Sequence, residues 1–223
     1  MAGIIFHKSK NLKYFFDYGI ILNPRYDARN AGSLYFMATK LFNSKKKRAI
    51  VFVDGNNWYH NLKSIVKKPR VVNLNKLAGI ICENFELELK GIRYYNSTPG
   101  IEDGEDMYYK HMVYLAGLKK IGIEVNTRKL KKIKENGKVF KIEKGIDVMI
   151  SADMVSKVLV EEECDCCVLI TGDSDFVPVM QLIKKAGKEV LTASVLKGYA
   201  RELLQGEFRF WILKKKDLER CFV

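Results

Sequence analysis

The chain has 223 residues, 48% of them hydrophobic, which suits one large α/β domain, or one domain with an extension. Its net charge of +13 and pI near 9.4 favour a polyanionic partner or substrate, the surplus being large for solubility alone at this size. No apolar run reaches the roughly 18 residues a membrane span needs, the lysine-rich start without an apolar core leads us to expect no secretory signal, and five scattered cysteines fit a reducing cytoplasm better than a disulfide framework.

Residues 1–48 hold ten lysines and arginines against Asp17 and Asp27, so this stretch carries +8 of the +13. Aromatics stand among those cations, Tyr14, Phe15, Phe16 and Tyr18 included. Such interleaving can stack bases while neutralising phosphates, although packing on the main domain or on a partner chain carries more weight. Lys45–Lys46–Lys47–Arg48 closes the extension as a solvated basic hinge.

From Ala49 the pattern changes. Ala49–Val53 reads as a buried strand ending on Asp54–Gly55–Asn56–Asn57. Gly55 permits a sharp turn, and Asn56 or Asn57 can cap a helix from Trp58 to about Val66. A second helix runs from Leu74 to about Phe85, with Leu77, Ile80, Ile81 and Phe85 on one stripe. Ile92–Asn96 is a second strand. Glu102, Asp103, Glu105 and Asp106 then precede a helix to about Leu118, where acids complement the helix dipole and require no chemistry. Ile121–Val125 is a third strand.

Residues 126–143 form the most basic part of the globular region. Arg128, Lys129, Lys131, Lys132 and Lys134 lead into Asn136–Gly137, a strong hairpin signal because both turn residues tolerate positive φ. Val139, Phe140 and Ile142 among lysines give a two-stranded ribbon with one solvated face. Two readings stand level: Arg128, Lys131, Lys132 and Lys134 grip a phosphate backbone, or the ribbon is a charged edge that blocks aggregation. Lys144–Gly145–Ile146–Asp147 opens a helix expected to reach about Glu162. Asp147 lies in its first turn, and Asp153 lies roughly 9 Å further along and about 240° round. Asp153 is therefore a supporting group rather than a ligand.

Val168–Leu169–Ile170 reads as a strand buried on both faces. Thr171–Gly172–Asp173–Ser174–Asp175 follows, then a helix with Phe176, Val179, Met180 and Ile183 at helical spacing. One carboxylate suffices for a helix cap; two flanking a serine invite a cation. Glu189–Ser194 is a strand, a short helix lies near Tyr199–Leu204, and Phe208–Leu213 is the last strand. Residues 214–223 read as a tail. Cys164–Asp165–Cys166–Cys167 has C-x-x-C spacing but no second pair and no nearby histidine, so small core residues are favoured over zinc.

Strand–helix alternation implies a parallel sheet with helices on both faces. It places Asp54, Asp173 and Asp175 at strand ends and Asp147 at a helix start, all on the carboxyl edge where open α/β sheets put their ligands. Carboxylates so crowded take up protons or bind divalent cations, and oxygen-only ligands suit Mg²⁺ or Mn²⁺. Such an ion beside a basic groove is equipment for phosphodiester hydrolysis. No Ser–His–Asp pattern and no Gly-rich phosphate loop competes. A phosphatase would carry Asp-x-Asp-x-Thr after the first strand, and a Toprim enzyme a glutamate where Asp54 stands. A module that holds RNA or a nucleotide without cutting stays open.

Three segments, Asp54–Gly55–Asn56–Asn57, Lys144–Gly145–Ile146–Asp147–Val148 with Asp153, and Thr171–Gly172–Asp173–Ser174–Asp175–Phe176–Val177–Pro178, resemble the NYN domain of the PIN-like nuclease superfamily, in its LabA-like branch. The resemblance spans residues 49–213. It implies a PIN-like three-layer α/β/α fold and an Mg²⁺- or Mn²⁺-dependent ribonuclease that cuts single-stranded or structured RNA endonucleolytically. It implies Asp54, Asp147, Asp173 and Asp175 as catalytic metal ligands, supported by Asn57, Thr171, Asp153 and Lys144. Nothing in it reaches residues 1–48. A homodimer is the assembly to test for.

Overall fold

The computed structural model describes residues 45–66, 72–135, 138–196, 198–206 and 208–222. The readings made for residues 1–44 and for the Asn136–Gly137 turn lie outside the described residues. In chain order the elements are β1 (Lys47–Asp54), α1 (Gly55–Ile65), α2 (Leu74–Asn84), β2 (Leu87–Thr98), α3 (Glu105–Lys120), β3 (Glu124–Lys129), β4 (Lys131–Glu135), β5 (Lys138–Ile142), α4 (Ile146–Val155), β6 (Cys166–Ile170), α5 (Val177–Lys185), β7 (Glu189–Val195), α6 (Glu202–Gln205), β8 (Arg209–Leu213) and α7 (Lys215–Glu219).

A strand's side chains alternate between two faces, and β1 feeds a separate core on each. Ala49, Val51 and Val53 join Trp58 and Leu62 of α1, Leu77 and Ile81 of α2, and Leu115 and Leu118 of α3. Ile50 and Phe52 join Ile146, Ile150 and Met154 of α4 and Met180 and Ile183 of α5. Each fully buried side chain of this size contributes about 1.5–3 kcal/mol. The result is a three-layer α/β/α domain. Its sheet runs in the order β3-β2-β1-β6-β7-β8, with every pairing parallel.

That order fixes where a ligand can sit. The chain steps outward from β1 through β2 to β3, then returns beside β1 as β6 and steps outward the other way. Between β1 and β6 the direction reverses, and the crevice at their carboxyl ends is left open. Val53 pairs with Ile170 there, so Asp54 and Thr171 end their strands side by side.

Several boundaries differ from the sequence reading. Helix α1 begins at Gly55 because Asp54 itself is the cap, its Oδ1 accepting from the Asn57 N–H at 3.2 Å; Asn56 and Asn57 do not cap it. Strand β2 begins at Leu87, not Ile92. Its first residues pair with β1 while β3 joins only from Arg93, so Glu88 and Lys90 lie on a local edge that tolerates polar residues. A register shift opposite Ala49 and Ile50 further blurs the alternation. Strand β3 starts at Glu124, because Gly122 turns the chain with φ at +84 and the Ile123 N–H still bonds to Leu118. Arg128 and Lys129 therefore belong to the sheet, and the ribbon is β4–β5 alone, a two-stranded sheet pairing Lys131 with Ile142 and Ile133 with Phe140. Helix α4 stops at Val155, and a wider π turn carries on through Ser156–Val160.

Both ends of the domain are also more structured than expected. Lys47 and Arg48 are strand residues rather than a hinge. Lys47 pairs with Glu189, and Arg48 forks onto Asp165 at 2.8 and 3.1 Å. All five cysteines are buried and free, in line with small core residues. Of residues 214–223, read as a tail, residues 214–222 carry α7 and pack into the domain. Leu218 and Cys221 are fully buried, and the Asn73 N–H donates to the Cys221 carbonyl at 2.8 Å. Ending the chain at Leu213 should cost about 3–5 kcal/mol by removing these groups, read as a lower urea midpoint; an unchanged midpoint would mean that α7 adds nothing to the fold.

Candidate active site

The crevice is held by a hydrogen-bonded knot between the ends of β1 and β6. The Asp54 side chain, 3% exposed, accepts from the Asn57 N–H through Oδ1 and from the Thr171 hydroxyl through Oδ2 at 3.1 Å. That hydroxyl accepts in turn from the Asp173 N–H at 3.2 Å. Asn57 Oδ1 accepts from the Gly172 N–H at 2.8 Å and from Asn61 Nδ2 at 2.6 Å. Asn61 also donates to the Gly198 carbonyl at 2.7 Å, tying in the loop after β7. Glycine is obligatory at 172, where a Cβ would stand 1.4 Å from the Gly198 oxygen. At Gly55 a Cβ would meet the Tyr94 hydroxyl at 2.4 Å and the Tyr95 carbonyl at 2.6 Å. Asn61 and Gly198 were missed by the sequence reading. Asn57 and Asn61, four apart on one helix face, were the signal available for the first.

Carboxylates gather around this knot. Asp173 Oδ1 accepts from the Asp175 N–H at 3.0 Å and caps the 3₁₀ turn Ser174–Phe176, so Asp173 does perform the capping role weighed against it. Asp147 lies in the first turn of α4, after Gly145 reverses the chain at φ +84. Burial, followed by the nearby charges of Asp173 and Asp175, raises the Asp147 carboxyl above its ordinary range. Burial pushes Asp54 up to about 7 against the pull of Asn57 and Thr171, and Asp147 and Glu143 add to the rise. Glu143 is a fifth carboxylate that the sequence reading missed. Burial raises it first, and Asp147 adds to this, while Ser97 and His60 act the other way. Its position four residues before Asp147, between ribbon and helix, was the available signal. The charges that bear on Asp54 and Asp147 are all acidic.

This donor set fits a hard cation that keeps part of its water. The candidate donors are oxygen only, the charges bearing on Asp54 and Asp147 are acidic, and the buried Ser97 hydroxyl beside Glu143 closes no hydrogen bond of normal geometry. Mg²⁺ typically takes one or two carboxylates and retains several waters. Among the described residues no three histidine, cysteine or carboxylate side chains converge as a chelate. Of the four expected aspartates, Asp147 feels the charges of Asp173 and Asp175 and adds to the rise of Asp54, while Asp54 and Asp173 accept from backbone N–H groups.

The remaining expected residues separate into groups. Asp153 accepts from the Tyr95 hydroxyl at 2.8 Å and from Arg93 at 3.1 Å, so it fastens α4 to β2. Arg128 is exposed, and its Nη1 reaches the Gly145 carbonyl at 3.5 Å, beside the start of α4. Lys144 is exposed next to it. Lys131 and Lys134 are exposed on the ribbon. Lys132 is not free: it pairs with Glu102 at 2.8 Å and Asp103 at 3.0 Å.

The raised Asp54 sets a pH dependence. Between about pH 4 and 7 the folded state holds a proton that the unfolded state has lost, so the stability of the ion-free protein falls as pH rises through that window, by at most about 1.4 kcal/mol per unit from this one group. Melts in chelator from pH 5 to 7.5 should show this decline, Asp54→Asn should flatten it, and Mg²⁺ or Mn²⁺ should restore stability at pH 7.5 far more than at pH 5. An identical decline in Asp54→Asn would assign the effect to other groups.

Comparison with known proteins agrees with this fold. The NYN domain family model matches residues 48–212, the span from β1 to β8. Low amplitude and bright protein LabA from Synechococcus elongatus is 25% identical over 168 residues, covering 74% of this chain and 83% of that protein. A crystal structure of a protein of unknown function from Vibrio parahaemolyticus has the same fold, with a TM-score of 0.56 and 18% identity over 79% of this chain and 98% of the other. No helix among the described residues is long and apolar enough to cross a membrane. With its sheet order, its carboxyl-edge aspartates and a family match across three-quarters of its length, this chain belongs to the NYN domain family.

Proposed function

We propose that this NYN domain is a divalent-metal-dependent ribonuclease that hydrolyses RNA phosphodiester bonds at Asp54, Asp147, Asp173 and Asp175, with Glu143 as a further carboxylate of the site. The observation that carries this reading is a buried aspartate pushed up to about 7 among acidic neighbours at the sheet's switch point. Asp54 also caps α1 and ties β1 to Thr171, but neither role calls for the acidic neighbours around it, which a cation would balance. A bound Mg²⁺ or Mn²⁺ would polarise the phosphoryl oxygen and lower the pKa of an attacking water. Asp147, Asp173 and Asp175 offer the outer carboxylate oxygens. Asp54 is held in one orientation by the Asn57 N–H and the Thr171 hydroxyl. Arg128 and Lys144, exposed at the start of α4, are placed to offset the charge of an incoming phosphate. A second reading, RNA held without cleavage, draws on the lack of a three-ligand chelate among the described residues.

Cleavage of end-labelled RNA in Mg²⁺, Mn²⁺ and EDTA separates the two. Wild type should cut only with metal, and Asp173→Asn should lose about 100-fold or more, equivalent to at least about 2.7 kcal/mol of barrier. Asparagine caps as well as aspartate does, so the variant should melt at or above wild type in chelator. RNA bound by wild type in Mg²⁺ or Mn²⁺ and recovered intact would establish the second reading.

A further inference from the structure

The β4–β5 ribbon has two unlike faces. Lys132 and Lys141, directly opposite in the register, both reach the Asp103 carboxylate, at 3.0 and 3.1 Å. The Asp103 side chain is 3% exposed, and its Oδ2 also accepts from the Gly100 N–H at 2.9 Å. This carboxylate sits in the 3₁₀ turn Ile101–Asp103 after β2. Asp103 is therefore a mooring for the ribbon rather than a dipole complement, and the two lysines are committed to it. On the other face Ile133 and Phe140 pair across the strands, 39% and 48% exposed, with Lys131 and Ile142 as the next pair. An exposed aromatic beside an exposed cation, on an arm joined directly to the start of α4, is unusual for a protective edge. Such an edge gains nothing from Phe140.

We propose that this outer face is a stacking platform for unpaired bases of RNA, with Phe140 as the ring on which a base stacks, Ile133 and Ile142 as its apolar surround, and Lys131 as a phosphate contact. The proposal rests on the reading of the domain as an RNA-acting one and narrows its substrate to single-stranded segments, because a duplex keeps its base faces covered. The charge balance favours a nucleic acid over an apolar protein partner. On this face Lys131 is exposed and makes no ion pair among the described residues, whereas Lys134 lies on the face of Lys132 and Lys141; the chain carries +13 overall. The ribbon follows β3 at the carboxyl edge and leads through Glu143 to Asp147, so a strand laid on it passes toward the carboxylates. Lys132, expected as a substrate contact, instead holds the platform in place.

Binding of the full-length chain to a labelled single-stranded oligoribonucleotide of about 12 nucleotides, within the span such platforms cover, tests this. Measured in Ca²⁺ against a duplex of equal length, the readout is independent of cleavage. Phe140→Ala should weaken single-strand binding about 10-fold, in the range one lost base–aromatic stack produces, with an unchanged salt slope and little effect on the duplex. Phe140→Trp should restore binding. Lys131→Gln should lower the slope of log affinity against log salt by about 0.7. Single-strand affinity unaltered by Phe140→Ala would overturn the proposal. So would sedimentation showing that Phe140→Ala dissociates a dimer at unchanged RNA affinity, since the face would then be a contact between copies. A chain that binds RNA through Phe140 yet never cuts would defeat the nuclease reading and leave the platform standing.

Discussion

The hydrogen bond from the Thr171 hydroxyl to the buried Asp54 carboxylate is the contact on which the site depends. It spans the one place in the sheet where the chain reverses its direction of travel, and no backbone ladder continues beyond it. Two strand ends could splay there. The hydroxyl prevents this by donating to β1's last residue while accepting from the Asp173 N–H. Asn57 repeats the arrangement from the helix side through the Gly172 N–H. Each partner is short, so slack is small, and the carboxylates beyond inherit the position of the knot. The knot is made of groups that dislike burial. Its cost is visible in the raised Asp54, and its benefit is a fixed place for charge.

Much of this was legible in the sequence because parallel strands buried on both faces leave a plain signature. Ala49–Val53 and Val168–Ile170 are unbroken apolar runs, and their ends name the crevice. The three acidic segments were legible for the same reason, since each directly follows a strand or opens a helix. Polar edge segments were not. Leu87–Gly91 and Asn126–Lys129 pair on one side only, so burial imposes no alternation on them, and their charges read as loop. The role of Asp103 was hidden as well. An acid ahead of a helix satisfies the dipole in any chain, and only the folded ribbon shows that this one is covered by Lys132 and Lys141. Asn61 and Gly198 escaped because their partners are distant in sequence.

Charge is partitioned in the domain rather than spread. Acidic groups at the crevice repel one another, whereas Asp103, Asp165 and Asp153 each find a cation of the chain itself. Lysine pairing pulls Asp103 down to about 2, while Asp54 rises to about 7. Chemically identical side chains therefore sit at opposite ends of the carboxylate range, set by whether the fold supplies a partner. The unsupplied ones lie together at the carboxyl edge of β1 and β6.

The contact between Asn73 and Cys221 has a consequence for how the protein is made. The Asn73 N–H and the Val72 bridge to Phe222 join the segment ahead of α2 to the last described residues. A ribosome delivers the chain from its N-terminus and at a measured pace, so β1, α1 and α2 emerge long before their closing partner. The first three strands can assemble early, but β6 completes the crevice only after the ribbon and α4 have emerged, and the seal at Asn73 waits for Cys221 and Phe222. Contacts so distant in sequence make for slow closure. Until residues 221 and 222 are in place, the segment ahead of α2 lacks the partner that seals it to the domain.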